Sequence, residues 1–242
     1  MQWQEDALVL HAAPLGESGA VVTVLSETHG LHRGLLKRQK VTVGDLVRAL
    51  WTARLPEHLG TWALDVKKKY SASVLRDPLR LQELMLTCEL LRRLLTERTP
   101  CNDVYDQAMH CLEAIRGPAF TWAKEYLTLE LFLLSKVGFG LDVRDAVLAT
   151  EDDPLRYVSP RTGRVVTQSR GQPYHDKLLR LPEFFVNSSA ELDTDSLQEG
   201  FALTEFFIEK YRLPRAEGAH FYALRTYVQR RLMKSGVGDG VA

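Results

Sequence analysis

Cysteine is scarce in this chain: three residues in 242, at Cys88, Cys101 and Cys111. An odd number at irregular spacing, with no CxxC pair, offers no disulfide framework and reads as reduced thiols of a cytosolic protein. Residues 112–242 contain no cysteine, which excludes a thiolate zinc site there. No apolar run approaches the ~20 residues that a membrane-spanning helix needs. The opening Met1-Gln2-Trp3-Gln4-Glu5-Asp6 carries two acids and no base, unlike a secretory leader. Catalytic signatures are missing too: there is no Walker phosphate loop, GxGxxG, HExxH or GxSxG. His29 and His32 flank a turn with no carboxylate or thiol at ligand spacing, so they read as surface residues rather than metal ligands. The acidic stretch Asp142, Asp145, Glu151, Asp152 and Asp153 lacks the spacing of an EF-hand loop. The chain therefore reads as a non-enzyme without a cofactor or metal.

Net charge is lacking as well, since 31 Lys and Arg balance 31 Asp and Glu. The balance hides an uneven distribution. From Arg33 to Lys69 nine basic residues face three acids, a net of +6, and Lys210 to Lys234 also carries +6. Two basic blocks thus sit on an acidic background, a pattern suited either to a nucleic-acid backbone or to a solvated face.

The most informative stretch runs from Ala7 to Arg38. Apolar and β-branched runs (Leu8-Val9-Leu10, then Val21 to Leu25) are cut by Pro14-Leu15-Gly16-Glu17-Ser18-Gly19 and by Glu27-Thr28-His29-Gly30. Such punctuation predicts a small antiparallel sheet. Leu46 to Leu55 alternates, with Val47, Ala49, Trp51, Ala53 and Leu55 on an apolar face and Arg48 and Arg54 on a wet one. Trp51 belongs to the core on this reading. Leu59 to Val66 alternates again, and Lys67-Lys68-Lys69 follows. About five strands in this length fit a small closed barrel.

Helices are predicted beyond it. Asp77-Pro78 is an N-cap acid followed by a proline at the first helical position. Further helical patterns follow Thr99-Pro100 and run through residues 119–136, about 195–213 and about 217–233. Between the third and fourth lies an irregular segment, about 141–172, with a hairpin at Tyr157 to Val166. The fold class is α+β, with a barrel over 1–75 and a helical domain over 76–242. Arg33, Lys37, Arg38, Lys40, Arg48, Arg54, Lys67, Lys68 and Lys69 are the candidate phosphate-binding residues.

Ordered stretches of the chain resemble the bacterial RecO family of DNA repair and recombination mediators. They are EDALVLHAAPLGESGAVVTVLSETHGLHRGLLKR (Glu5–Arg38), ARLPEHLGT (Ala53–Thr61), LELFLLSKVGFGLD (Leu129–Asp142), YVSPRTGRVV (Tyr157–Val166) and LLRLPEFF (Leu178–Phe185). The resemblance implies an oligonucleotide-binding (OB) fold followed by a helical domain. It implies binding to single- and double-stranded DNA and annealing of complementary strands. It also implies partnership with RecR and with the acidic tail of the single-strand-binding protein, to help load RecA in the bacterial cytoplasm at the nucleoid. Three features depart from the family pattern: the zinc-binding cysteines are missing, only Arg38-Gln39-Lys40 stands between Lys37 and Val41, and Thr128 replaces an arginine before Glu130. A protein–protein adaptor that receives acidic peptides, with incidental DNA contact, is the alternative.

Overall fold

The computed structural model describes residues 1–136, 138, 149–150 and 152–236. Five strands come first: β1 (Gln2–Leu15), β2 (Gly19–Ser26), β3 (Gly30–Lys37), β4 (Asp45–Thr52) and β5 (Thr61–Lys69). They close into a barrel in the order β1-β2-β3-β5-β4, with β3 and β5 parallel and the other neighbours antiparallel. This is the five-stranded OB-fold. Alternate residues point inward, so Ala7, Val9, Val22, Val24, Leu36, Val47, Ala49, Trp51, Trp62 and Leu64 make the core. Trp51 and Trp62 satisfy their indole N–H groups inside it, on the Leu59 and Val22 carbonyls at 3.0 and 3.1 Å.

Two strand ends differ from the sequence reading. β4 stops at Thr52, so Arg54 lies beyond the strand rather than on its wet face. Pro56, two residues on, has no N–H to continue the ladder. β5 runs through Lys67, Lys68 and Lys69 rather than ending before them, because Lys68 and Lys69 pair with Leu46 and Asp45 of β4 beyond a bulge at Lys67. At Gly30 the backbone turns with φ at +62°, and a Cβ there would sit 1.9 Å from the Thr99 carbonyl oxygen, so only glycine fits.

Helices α1 (Tyr70–Val74), α2 (Pro78–Leu94) and α3 (Asn102–Ala114) follow. The predicted cap of α2 is present: the Asp77 carboxylate accepts from the Leu79 and Arg80 amides at 3.0 and 3.2 Å. α2 packs against β1. That packing explains why Leu8 and Leu10, which alternate with the inward Ala7 and Val9, are buried as well. Residues Met1–Gly117 consequently form one compact unit and Pro118–Ala242 a second, so a boundary at residue 75 falls inside the first.

The second unit contains α4 (Ala119–Lys136), a small sheet of β6 (Leu155–Val158), β7 (Val165–Thr167) and β8 (Leu179–Arg180), the short α5 (Gln168–Gly171), α6 (Thr194–Tyr211) and α7 (Ala219–Gly236). The predicted hairpin is β6–β7. Most of the Val137 to Gly140 helix exit lies outside the described residues, as do Asp142, Asp145 and Glu151. Basic residues of the 210–234 block are not all on the surface: Arg225 is fully buried. Its guanidinium donates to the equally buried Glu130 at 2.9 and 2.8 Å, to Glu205 at 2.7 Å, and to Thr204 Oγ1 and the Phe201 carbonyl at 2.7 and 2.9 Å. These bonds join α4, α6 and α7.

Removing one partner of such a pair strands a buried charge. Glu130→Ala is therefore expected to destabilise the second unit by about 3–5 kcal/mol. Urea unfolding of Glu130→Ala, of Arg225→Met and of the double variant checks this. The double variant should lose less than the sum of the two.

Candidate nucleic-acid interface

All nine candidate cations lie in the first unit, but the structure divides them into two sets. Four are compensated. Arg33 on β3 is 2.6 Å from Glu97, and Arg48 on β4 is 3.2 Å from Asp6. Lys67 on β5 meets the other oxygen of the same Asp6 at 2.7 Å. Lys68 meets Glu113 at 2.5 Å and the Tyr70 hydroxyl at 3.1 Å, which holds the Glu113 carboxyl below its usual range and raises the ammonium. Asp6, Glu97 and Glu113 come from β1, the segment before α3, and α3, none of them adjacent in sequence to the cation they meet.

The other five, Lys37, Arg38, Lys40, Arg54 and Lys69, are exposed and have no carboxylate partner among the described residues. Their placement follows from strand register. Leu35 of β3 and Thr52 of β4 both register with Thr61 at the start of β5. Lys37 lies two residues beyond the first of these and Arg54 two beyond the second. Arg38 and Lys40 belong to the β3–β4 connection, and Gln39 between them anchors it by donating from its side-chain amide to the Leu64 carbonyl. Lys69 pairs with Asp45 at the far end of β5. The run Lys37-Arg38-Lys40 with Arg54 therefore flanks the beginning of β5, and Lys69 stands apart.

Arg98 is a cation that composition did not single out. Its guanidinium donates to the carbonyls of Pro56, Glu57 and His58, the last at 2.9 Å, and so fastens the β4–β5 loop. It has no carboxylate partner among the described residues, so its charge remains uncompensated. A lone arginine after a helix carries no sequence signal for this role.

The histidines also differ from the sequence reading. His32 is not on the surface: it is 5% exposed, on β3, with its ring edge-on to Trp3, Trp51 and Trp62 at 5.3, 4.7 and 5.9 Å. Neither ring nitrogen has a hydrogen-bond partner among the described residues. The first residues of β3 are buried on both sides because the Glu97–Arg98 segment bridges to Leu31. Half-buried His29 stacks on Trp3 with ring centroids 4.0 Å apart.

Comparison with known proteins bears on this arrangement. Residues 1–60 match the family model described as Recombination protein O N terminal, and residues 75–216 match that described as Recombination protein O C terminal. The DNA repair protein RecO of Rhodospirillum centenum is 38% identical over 250 aligned residues, covering all of this chain and 98% of that protein. Those of Rhodospirillum rubrum and of a Bradyrhizobium species are 35% and 36% identical over 90% of this chain and 92% and 91% of theirs. The chain belongs to the RecO family. The RecO N-terminal match ends at Gly60, just before β5, so it contains Lys37, Arg38, Lys40 and Arg54 but not the β5 lysines. The RecO C-terminal match begins inside the first compact unit, at the helices that cover β1.

Reactive groups are subdued. Burial pushes the Cys88 thiol up to about 12 and Cys101 up to about 11, out of the nucleophilic range. Among the described residues no cluster of three His, Cys, Asp or Glu side chains could hold a metal ion, and no helix is long and apolar enough to cross a membrane.

Burial, with the charge of Arg98 beside it, holds the His32 imidazole down at about 4. The unfolded chain then takes up this proton first, so acid favours unfolding between pH 6.5 and about 4. The loss over that window is expected to reach about 3 kcal/mol. Urea melts of the unmodified chain and of His32→Leu across this range check it, and the variant should lose that part of the acid sensitivity.

Proposed function

We propose that this chain is a non-enzymatic mediator that binds single- and double-stranded DNA through the phosphate backbone and anneals complementary strands. In this reading it helps load RecA onto DNA coated by single-strand-binding protein, with RecR and the acidic tail of that protein as partners. Its place is the bacterial cytoplasm, at the nucleoid. The observation that carries the reading is the set of five uncompensated cations on a family OB-fold, four of them gathered about the start of β5. Cations held by a carboxylate displace few counterions, whereas free ones release them on meeting phosphate.

The paired and unpaired sets give different expectations. With five phosphates neutralised, the logarithm of single-strand affinity should fall against the logarithm of salt with a slope of about 3.5. A Lys37/Arg38/Lys40→Ala variant should flatten that slope by about 2 and weaken all sequences alike. A Lys67/Lys68→Ala variant should leave the slope close to its starting value. Fluorescence anisotropy over a salt series measures all three. An affinity independent of salt counts against DNA binding, and a larger loss in the second variant counts against the proposed division.

One observation favours the adaptor as a second reading. α7 presents Tyr222, Tyr227, Arg230, Arg231 and Lys234 along a groove that fits an acidic segment, and the last three are exposed without partners among the described residues. Tight binding of an acidic peptide without strand annealing supports that reading instead.

A further inference from the structure

We propose that the barrel carries a base-stacking platform for single-stranded nucleic acid, formed by the paired rings of Trp3 and His29. The inference rests on the phosphate-binding reading above and adds what that binding recognises besides phosphate.

The two rings are nearly parallel, 5° apart, with centroids separated by 4.0 Å. One face of His29 therefore covers Trp3, while 37% of the His29 side chain remains open to solvent. The imidazole is not free to swing away. Its Nδ1 lies 3.0 Å from Glu5 Oε2, and the same carboxylate accepts from the Thr28 amide at 3.0 Å and the Thr28 hydroxyl at 3.1 Å. These bonds, with burial opposing them, hold the Glu5 carboxyl below its usual range. Trp3 is fixed from behind: His32 and Trp62 meet it edge-on, and Trp51 lies 6.3 Å away at 27°. The partly exposed imidazole is thus the end of a rigid aromatic stack, and its ordering entropy is already met by the fold.

Two uncompensated cations belong to backbone segments that border the strands carrying this stack. Met1 and Ala53 exchange backbone hydrogen bonds, which brings Arg54, the next residue, alongside the start of β1. The Arg98 amide donates to the Leu31 carbonyl at 2.8 Å, next to His32. A flat aromatic surface with cations at its rim suits an unpaired base joined to its phosphates. A duplex keeps its bases stacked inside and cannot use the platform. Because every base has a π-face, the platform should tolerate any sequence.

The test compares a labelled oligothymidylate with a strand of equal length and charge in which the central nucleotides are abasic. The unmodified chain should bind the intact strand about tenfold more tightly. His29→Ala should erase that difference while leaving abasic-strand and duplex affinities unchanged, and His29→Phe should restore it. Equal affinity of the unmodified chain for the two strands, with normal salt dependence, overturns the platform alone. Failure of both strands to bind overturns the phosphate reading together with it. The abasic comparison needs no variant, so it stands whatever a substitution does to folding.

Discussion

Closure of the barrel depends on a short parallel ladder between β3 and β5, in which Leu35 registers with Thr61 and Leu36 with Trp62. The Leu35 amide adds a bond to the Gly60 carbonyl at 3.0 Å. Without this seam two strand edges would be left unpaired. The seam is held by shape as well as by hydrogen bonds. A Cβ at Gly34 would stand 2.6 Å from the Trp62 ring nitrogen, so the absence of a side chain there makes room for the indole, which then reaches across to the Val22 carbonyl. The cations around the start of β5 take their positions from this register. Lys37 and Arg54 come to flank the start of β5 only because Leu35 and Thr52 share Thr61 as a neighbour.

Charge is then sorted by the same geometry. Asp6 lies opposite Arg48 across the β1–β4 ladder and reaches Lys67 as well, so one carboxylate is shared between two cations and offsets one of their two charges. Exposed pairs of this kind contribute little to stability. Their larger consequence is electrostatic, because they remove cations from the field that a polyanion would meet. A chain with no net charge can still present a local positive surface if its carboxylates are spent on some cations and not on others.

Much of this was legible in the sequence. Alternation of apolar and polar residues revealed the strands, and Asp77-Pro78 marked the start of α2, because both rest on local stereochemistry. What stayed hidden is long-range. The division of the nine cations depends on Glu97 and Glu113, and those residues come near only once the helices fold back on the barrel. His32 looked like a surface residue because nothing local says that the segment around Arg98 covers β3. Arg225 looked like one more charge of a basic block, although its partner Glu130 lies 95 residues away in sequence. The burial of Leu8 and Leu10 on the outer face of β1 was hidden for the same reason, since it comes from α2.

The central claim is that pairing, and not the number of basic residues, decides where this RecO-family barrel meets a phosphate backbone. Asp6→Asn tests it most directly, since it preserves the shape of the side chain and releases Arg48 and Lys67 together. Measured over a salt series on single-stranded DNA, the variant should bind more tightly than the unmodified chain, with a slope steeper by about 0.7. An unchanged slope with equal or weaker binding would contradict the account.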